Sequence, residues 1–252
     1  MNENHASTEA IVLRSYPLRE SDLIAVLYTR QFGRVSGVAR GARRSKSRFA
    51  GKLEPLSWSE VVLFCKRNAD LFTIDSADLI ESFAQRTHDY RCLLQLGLVA
   101  EMLADTTPER EPSDPLFRLA LLVLPHLTQA ATVDLAQLYF EVWYLKLAGF
   151  YPSHRNCSVC QALLTADSSV YASIGASLFA CGRCQQSGRK VSYRAVSLLD
   201  GICRMRLAEV FRLESSPAEV AELRTITESL LQRSFERSFR SLRLISEEAK
   251  VV

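Results

Sequence analysis

Apolar and polar positions alternate through most of the first eighty residues, and short turn-like segments interrupt the alternation. The pattern predicts strands over 10–16, 23–29, 33–41, 60–66 and 71–75, rich in Val, Ile, Leu and aromatic residues. The third run is the most telling. Gly33, Val35, Gly37, Ala39 and Gly41 share one face, and Arg34, Ser36, Val38 and Arg40 share the other, because side chains alternate along a strand. A face of Gly, Ala and Val permits close packing and sharp curvature, which a small barrel demands. Five short strands in this span suit a closed barrel, of which the OB-fold is the common five-stranded form.

Beyond Ser82 the period lengthens to that of a helix. Helices are expected over about 85–105, 114–129 and 132–149. Leu93, Leu96, Val99 or Ala100, and Leu103 form one apolar stripe, and Leu135, Leu138, Val142, Leu145 and Leu147 another. Pro108, Pro112 and Pro115 mark the first connection, Thr132 begins the third helix, and Gly149 ends it. Two further helices are expected over about 195–212 and 217–242. The fold class is α+β in two parts. Residues 1–82 form an N-terminal five-stranded OB-fold barrel, and 83–252 form an α-helical domain with an inserted four-cysteine zinc module at about 151–194.

Composition alters this picture little: 48% hydrophobic and 23% charged residues are near globular averages, and a net charge of +3 implies nothing by itself. The N-terminus lacks a basic and then apolar leader, and no run approaches the roughly 18 apolar residues of a spanning helix. A cytoplasmic protein without a membrane association is therefore expected. In a reducing compartment seven cysteines, an odd number, are read as metal ligands before disulfides.

Four of them form two knuckles, Cys157-Ser-Val-Cys160 and Cys181-Gly-Arg-Cys184. Each C-x2-C turn aims two sulfurs at one centre, and two turns complete a tetrahedron, so Cys157, Cys160, Cys181 and Cys184 are the expected ligands of one structural Zn2+. A segment this short rarely has a sufficient core of its own, whereas zinc contributes about 10–16 kcal/mol in finger peptides. Four protein ligands leave no open position for catalysis. His154, a rival ligand by proximity, is expected at the surface or in a hinge. Cys65, Cys92 and Cys203 are expected in the core.

The second chemical feature is a one-sided charge run. Arg34, Arg40, Arg43, Arg44, Lys46, Arg48 and Lys52 occur with no Asp or Glu among them. Gly41, Ser45, Ser47 and Gly51 permit a mobile loop with donors for phosphate oxygens, and Phe49 is a candidate stacking surface for a base. These seven basic residues are the expected nucleic-acid-binding set. Near the C-terminus Arg233, Arg237 and Arg240 fall at helical spacing, with Phe235 and Phe239 on a neighbouring face. An amphipathic packing helix is expected there, with a groove for an acidic, apolar-ended peptide as the alternative.

Enzyme signatures are missing from the sequence. There is no GxxxxGK[ST] loop, and the zinc-deaminase pattern fails because Asn156 and Ala180 precede the cysteine pairs. A non-enzymatic protein that handles nucleic acid, with no small-molecule substrate, is expected. An RNA-binding or protein-bridging zinc module is the alternative.

With these features placed, the chain resembles the RecO family of bacterial recombination and repair mediators. The matching segments are Glu9-Ala10-Ile11-Val12-Leu13-Arg14, Glu20-Ser21-Asp22, Gly33-Arg34-Val35, Ala39-Arg40-Gly41-Ala42-Arg43-Arg44-Ser45-Lys46-Ser47 and Leu53-Glu54-Pro55-Leu56. Phe150-Tyr151-Pro152 leads into the first knuckle, as in zinc-bearing relatives. Some members lack the cysteines; all four are present here. The resemblance implies binding of single- and double-stranded DNA, with the basic segment from Arg34 to Lys52 as the DNA-binding candidate, and annealing of strands coated with single-strand-binding protein. It also implies joining RecR to assist loading of RecA at gaps, docking of the single-strand-binding protein's acidic tail on the helical domain, and a cytoplasmic, nucleoid-associated location.

Overall fold

The computed structural model describes residues 5–64, 70–151, 154–172, 179–185 and 187–248. Five strands open the chain: β1 (His5–Leu18), β2 (Asp22–Thr29), β3 (Gly33–Ala39), β4 (Ser57–Phe64) and β5 (Phe72–Ser82). They close into a barrel of order β1-β2-β3-β5-β4. The pairings are antiparallel except β3 with β5, which meet in parallel through Gly37–Phe72 and Val38–Thr73. This is the OB-fold topology. The alternation of β3 is realised residue by residue, with Gly33, Val35, Gly37 and Ala39 buried and Arg34, Ser36 and Val38 half-buried. Ala10, Val12, Leu27, Leu63 and Ile74 fill the barrel around them.

β5 continues to Ser82, well past the expected end at 75. Its second half carries Asp75, Asp78 and Glu81, which break the apolar run. The ladder with β4 nonetheless holds as far as Ser57–Ser82, with register shifts that twist the pair. Gly33 is required for steric reasons. Its φ is +65°, and a Cβ there would lie 2.2 Å from the Glu111 carbonyl oxygen. The same approach brings the Arg110 N–H to Arg34 O at 2.9 Å.

A 3-10 turn at Ala84–Arg86 precedes α1 (Tyr90–Thr106), α2 (Asp114–Leu127) and α3 (Val133–Leu147). Then come α4 (Tyr193–Arg204), α5 (Leu207–Val210), α6 (Pro217–Ser234) and α7 (Arg240–Glu248). Side chains cap their starts: Asp89 accepts from Cys92 N–H, and Ser216 with Glu219 forms a capping box.

Two expected helices are each broken. The span 195–212 stops because Met205 and Arg206 are extended, so α4 and α5 are separate. The span 217–242 ends at Ser234, and Glu236 has a φ of +49° before α7 begins. A continuous helix would put residues 235 and 239 on one face. Instead Phe235 packs on Tyr144 and Phe150, with ring centroids at 5.7 and 5.3 Å, while Phe239 is buried separately.

The chain forms two compact units, 1–130 with 239–252, and 131–238. The first holds the barrel, α1, α2 and α7. In it Glu101 accepts the Arg240 and Ser241 N–H groups at 2.7 and 2.8 Å, capping α7. The second holds α3 to α6 and a small sheet of β6 (Val170–Ala172), β7 (Phe179–Cys181) and β8 (Arg189–Val191), in order β7-β6-β8. The change of period at Ser82 is thus not where the packing divides.

Candidate nucleic-acid interface and metal centre

Between β3 and β4 the chain does not run as an open coil. It descends a ladder of turns: Arg44 N–H to Gly41 O at 3.2 Å, Ser47 N–H to Arg44 O at 3.0 Å, Ala50 N–H to Ser47 O at 3.2 Å, and Lys52 N–H to Phe49 O at 3.0 Å. Phe49, Leu53 and Leu56 point inward and are buried in the first unit. Phe49 is only 3% exposed and belongs to the barrel core, so it is not a stacking surface for bases. Its inward anchor is what turns the intervening cations outward.

The seven basic residues divide by environment. Arg40, Arg43, Arg44, Lys46 and Arg48 are exposed. Arg43 Nη1 donates to the carbonyls of Arg19 and Glu20 at 3.2 and 3.3 Å, and the Arg48 guanidinium lies 5.0 Å from the Phe49 ring centre. Lys52 pairs with Asp78 at 3.1 Å. Arg34 faces the 107–111 segment, its Nε donating to Thr107 O at 2.9 Å, so its charge is half-buried against the protein. Among the described residues Arg44 and Lys46 make no ion pair.

One residue was legible in the sequence only as part of a motif. Asp22 opens β2 and accepts the Gly41 N–H at 2.8 Å and the Ser21 hydroxyl at 3.0 Å. Those donors, the Gly41 amide foremost, hold its carboxyl below the ordinary carboxylate range. Arg43 N–H donates to Ser21 O at 3.0 Å beside it. Asp22 therefore ties the start of the basic ladder to the β1–β2 turn.

In the second unit the four cysteines converge. The sulfurs of Cys157, Cys160, Cys181 and Cys184 all lie within 4.8 Å of one another, with Cys160 Sγ 3.8 Å from Cys181 Sγ. Each knuckle is a hydrogen-bonded turn: Gln161 N–H reaches Cys157 O at 2.9 Å, and Cys184 N–H reaches Cys181 O at 3.0 Å. Ser158 N–H donates to Phe179 O at 3.0 Å, fastening the first knuckle to β7. Gln161 adopts a φ of +59°, and Asn156 Nδ2 donates to its carbonyl at 2.7 Å.

Burial opposes a Cys157 thiolate, but the amides of Cys160, Cys181 and Val159 prevail and bring that thiol down to about 6. The neighbouring sulfurs of Cys160 and Cys181 push Cys184 up to about 12. A cation bound among the four converging sulfurs would hold all of them as thiolates. The donor set fits a metal ion.

His154 is not a competitor for that centre, and it is not at the surface. It is buried, with Nε2 3.2 Å from Asp200 Oδ1 on α4, where Arg155 Nε also lies at 2.9 Å. Burial lowers the His154 pKa against the opposing pull of Asp200. Asp200 thus fastens the approach to the first knuckle onto α4. Cys92 is buried as expected, Cys203 is half-buried, and Cys65 lies outside the described residues.

Arg233, Arg237 and Arg240 do not form a stripe. Arg233 ends α6, Arg237 lies in the break after it, and Arg240 begins α7 in the other compact unit. The broken helix removes the continuous face on which a peptide groove there depended.

An OB-fold barrel with a basic turn ladder, joined in sequence to helices with a four-cysteine metal module, defines the class of this protein. Comparison with known proteins makes the class specific. Residues 1–83 match the family model for recombination protein O N terminal, and 87–243 match recombination protein O C terminal. The chain belongs to the RecO family. A Koribacter versatilis relative named DNA repair protein RecO is 44% identical over 153 residues, covering 61% of this chain and 62% of that protein. Relatives of the same name from Thermodesulfovibrio yellowstonii and Geobacter metallireducens are 34% and 31% identical, over 73% and 95% of this chain and 71% and 96% of theirs. No helix among the described residues is long and apolar enough to cross a membrane.

Proposed function

We propose that this RecO-family protein is a non-enzymatic, cytoplasmic mediator of DNA repair and recombination. It binds single- and double-stranded DNA through Arg40, Arg43, Arg44, Lys46 and Arg48, with Arg34 and Lys52 supporting the edges of that surface. It anneals complementary strands coated with single-strand-binding protein, and with RecR it assists loading of RecA at gaps. The observation that carries this reading is the turn ladder itself: Arg40, Arg43, Arg44, Lys46 and Arg48 are exposed in a run from 34 to 52 without a single carboxylate, and the buried Phe49, Leu53 and Leu56 hold them outward. Neutralising phosphates lowers the repulsion between two strands while leaving base edges free to pair. With about five phosphates engaged, single-strand binding has a salt slope of about −3.5.

The metal is Zn2+ in this reading. Four thiolates with no oxygen donor select a soft or borderline ion with tetrahedral preference. A tetrahedron with bonds of about 2.3 Å has edges of about 3.8 Å, and the Cys160–Cys181 sulfur separation is 3.8 Å. Bound zinc supplies cross-linking of two turns whose own core is small, and no catalytic step.

The test is ATP-free annealing of complementary oligonucleotides precoated with the cognate single-strand-binding protein. Acceleration that is lost in Arg43→Glu/Arg44→Glu is the expected result. A folded, metal-loaded protein that fails to accelerate annealing would move the assignment to an RNA-binding or protein-bridging role.

A further inference from the structure

The chain's charge is carried in two islands. Residues 34–52 hold +7, and 151–194 hold Arg155, Arg183, Arg189, Lys190 and Arg194 against the single acid Asp167, a net +4; the remainder of the chain stands at −8. The second island is the metal module. Two of its arginines are engaged elsewhere, Arg155 with Asp200 at 2.9 Å and Arg194 towards Glu219 at 3.9 Å. Arg183, Arg189 and Lys190 are exposed and, among the described residues, make no ion pair.

The small sheet arranges these cations around an aromatic ring. In β6 Val170 and Ala172 face inward and are buried, which turns Tyr171 to the opposite face. Lys190 of β8 pairs directly opposite Tyr171 and shares that outer face. On the other side, Gly182 lets the ring approach: a Cβ there would lie 3.4 Å from Tyr171 Cε2 and 3.0 Å from Ser169 Cβ. Arg183 follows at once. Tyr171 and Arg183 then line an open cleft of about 700 Å3 with Thr165, Asp167, Ser169 and Leu163, the last 63% exposed; Lys190 flanks it beside Tyr171.

We infer that this cleft is a second nucleic-acid site, one that takes a single strand: bases stack on Tyr171 and pack on Leu163, while Arg183 and Lys190 meet phosphates. Cations flanking an aromatic surface are what sequence-tolerant single-strand binding requires, and Arg183 with the flanking Lys190 outweighs the one carboxylate, Asp167, that lines the cleft. Hydroxyls of Thr165 and Ser169 add donors for phosphate oxygens. The lining is polar and open, which suits a splayed strand better than the apolar terminus of an acidic peptide. The inference rests on the nucleic-acid reading above and extends it: a chain with two separate basic sites can hold two strands, as annealing needs.

The experiment is fluorescence anisotropy of the full-length, metal-loaded protein with an oligo-dT probe across a salt series. Arg183→Glu/Lys190→Glu is made both in the native chain and in Arg43→Glu/Arg44→Glu. In the latter background the expected result is a further loss of about tenfold, and removal of two phosphate contacts reduces the salt slope by about 1.4. Tyr171→Ala weakens binding about fivefold or more, and Tyr171→Phe restores it because stacking needs the ring rather than the hydroxyl. Metal content and melting temperature are read for each variant. Unchanged affinity and slope in a metal-loaded Arg183→Glu/Lys190→Glu protein would overturn the inference while leaving the barrel site standing. Loss there, with Arg43→Glu/Arg44→Glu without effect, would keep the cleft and overturn the barrel reading. Binding of a labelled acidic peptide that Arg183→Glu/Lys190→Glu abolishes, with oligo-dT affinity unchanged by the same substitutions, would overturn it in favour of a protein partner.

Discussion

Asp22 Oδ1 accepts the backbone N–H of Gly41 at 2.8 Å, joining the start of β2 to the first turn of the basic ladder. Gly41 has a φ of +70°, so the ladder begins at a left-handed corner that needs both a glycine and a fixed partner for its amide. The contact sets where Arg43 and Arg44 project, though Asp22 itself carries the wrong charge to meet DNA. In this arrangement a carboxylate positions the cations.

Asp22→Ala is therefore expected to free the ladder without unfolding the barrel. Trypsin should cut more quickly between residues 40 and 52, and oligonucleotide affinity should fall by about two- to tenfold as loop side chains must be ordered on binding. Because the native contact lowers the Asp22 pKa, its contribution is present above the ordinary carboxylate range and is lost as pH falls through the lowered value. Unchanged proteolysis and affinity in Asp22→Ala would remove the positioning role.

Phe49→Ala separates the two roles an aromatic can have in this loop. Phe49 is buried with Val35, Leu63 and Ile74 in the barrel cluster, so truncation should cost about 3–5 kcal/mol of stability in urea unfolding. Phe49→Leu should recover most of that loss and bind DNA normally. Full stability with selective loss of DNA affinity in Phe49→Ala would instead return Phe49 to the interface.

The contrast between Phe49 and Asp22 marks what the sequence could reveal. The period-2 pattern of β3 and the spacing of Cys157, Cys160, Cys181 and Cys184 were readable because local geometry dictates them. Phe49 misled because a lone aromatic among cations and glycines has no periodicity to say which way it points. That decision is made by the barrel interior, closed by strands distant in sequence. The helix breaks at Met205 and Phe235 were hidden for the same reason, since apolar spacing continues across them while tertiary packing diverts the backbone. Asp22 was visible as a motif, but its hydrogen bond spans nineteen positions and appears only once β2 and β3 pair.

The metal module should fail as a unit when its ligands are removed. Protein purified without added zinc should contain about one zinc per chain, and Cys157→Ser/Cys181→Ser should contain none. Zinc-site free energies of about 10–16 kcal/mol rival the roughly 5–15 kcal/mol stability of an entire domain, so the module unfolds when that contribution is lost. The barrel, in the other compact unit, should retain its own cooperative transition. Stoichiometric metal in the double variant would refute the ligand assignment.

The second unit also contains a proton-linked element unrelated to the metal. Arg224 Nη2 lies 3.1 Å from Glu228 and 3.8 Å from the fully buried Glu141, while Nη1 lies 3.6 Å from Asp134. Glu141 is further satisfied by Thr227 Oγ1 at 2.6 Å and Gln137 Nε2 at 3.1 Å. Burial raises the pKa of both glutamates. For Glu228 the charge of Glu141 adds to burial and brings it to about 7 against the pull of Arg224. The proton thus belongs to the pair, with Glu228 its more exposed member. The folded state therefore binds this proton more tightly than the unfolded chain, where a glutamate titrates near about 4.3. The resulting stabilisation is full below about 4.3 and is lost as pH rises through about 7, a change of about 2–4 kcal/mol. Glu228→Gln keeps a neutral side chain at every pH, so the difference in unfolding free energy between variant and native protein should grow in the variant's favour from pH 5 to pH 8. Equal pH dependence of the two proteins would show that Glu228 stays ionised beside Arg224 throughout.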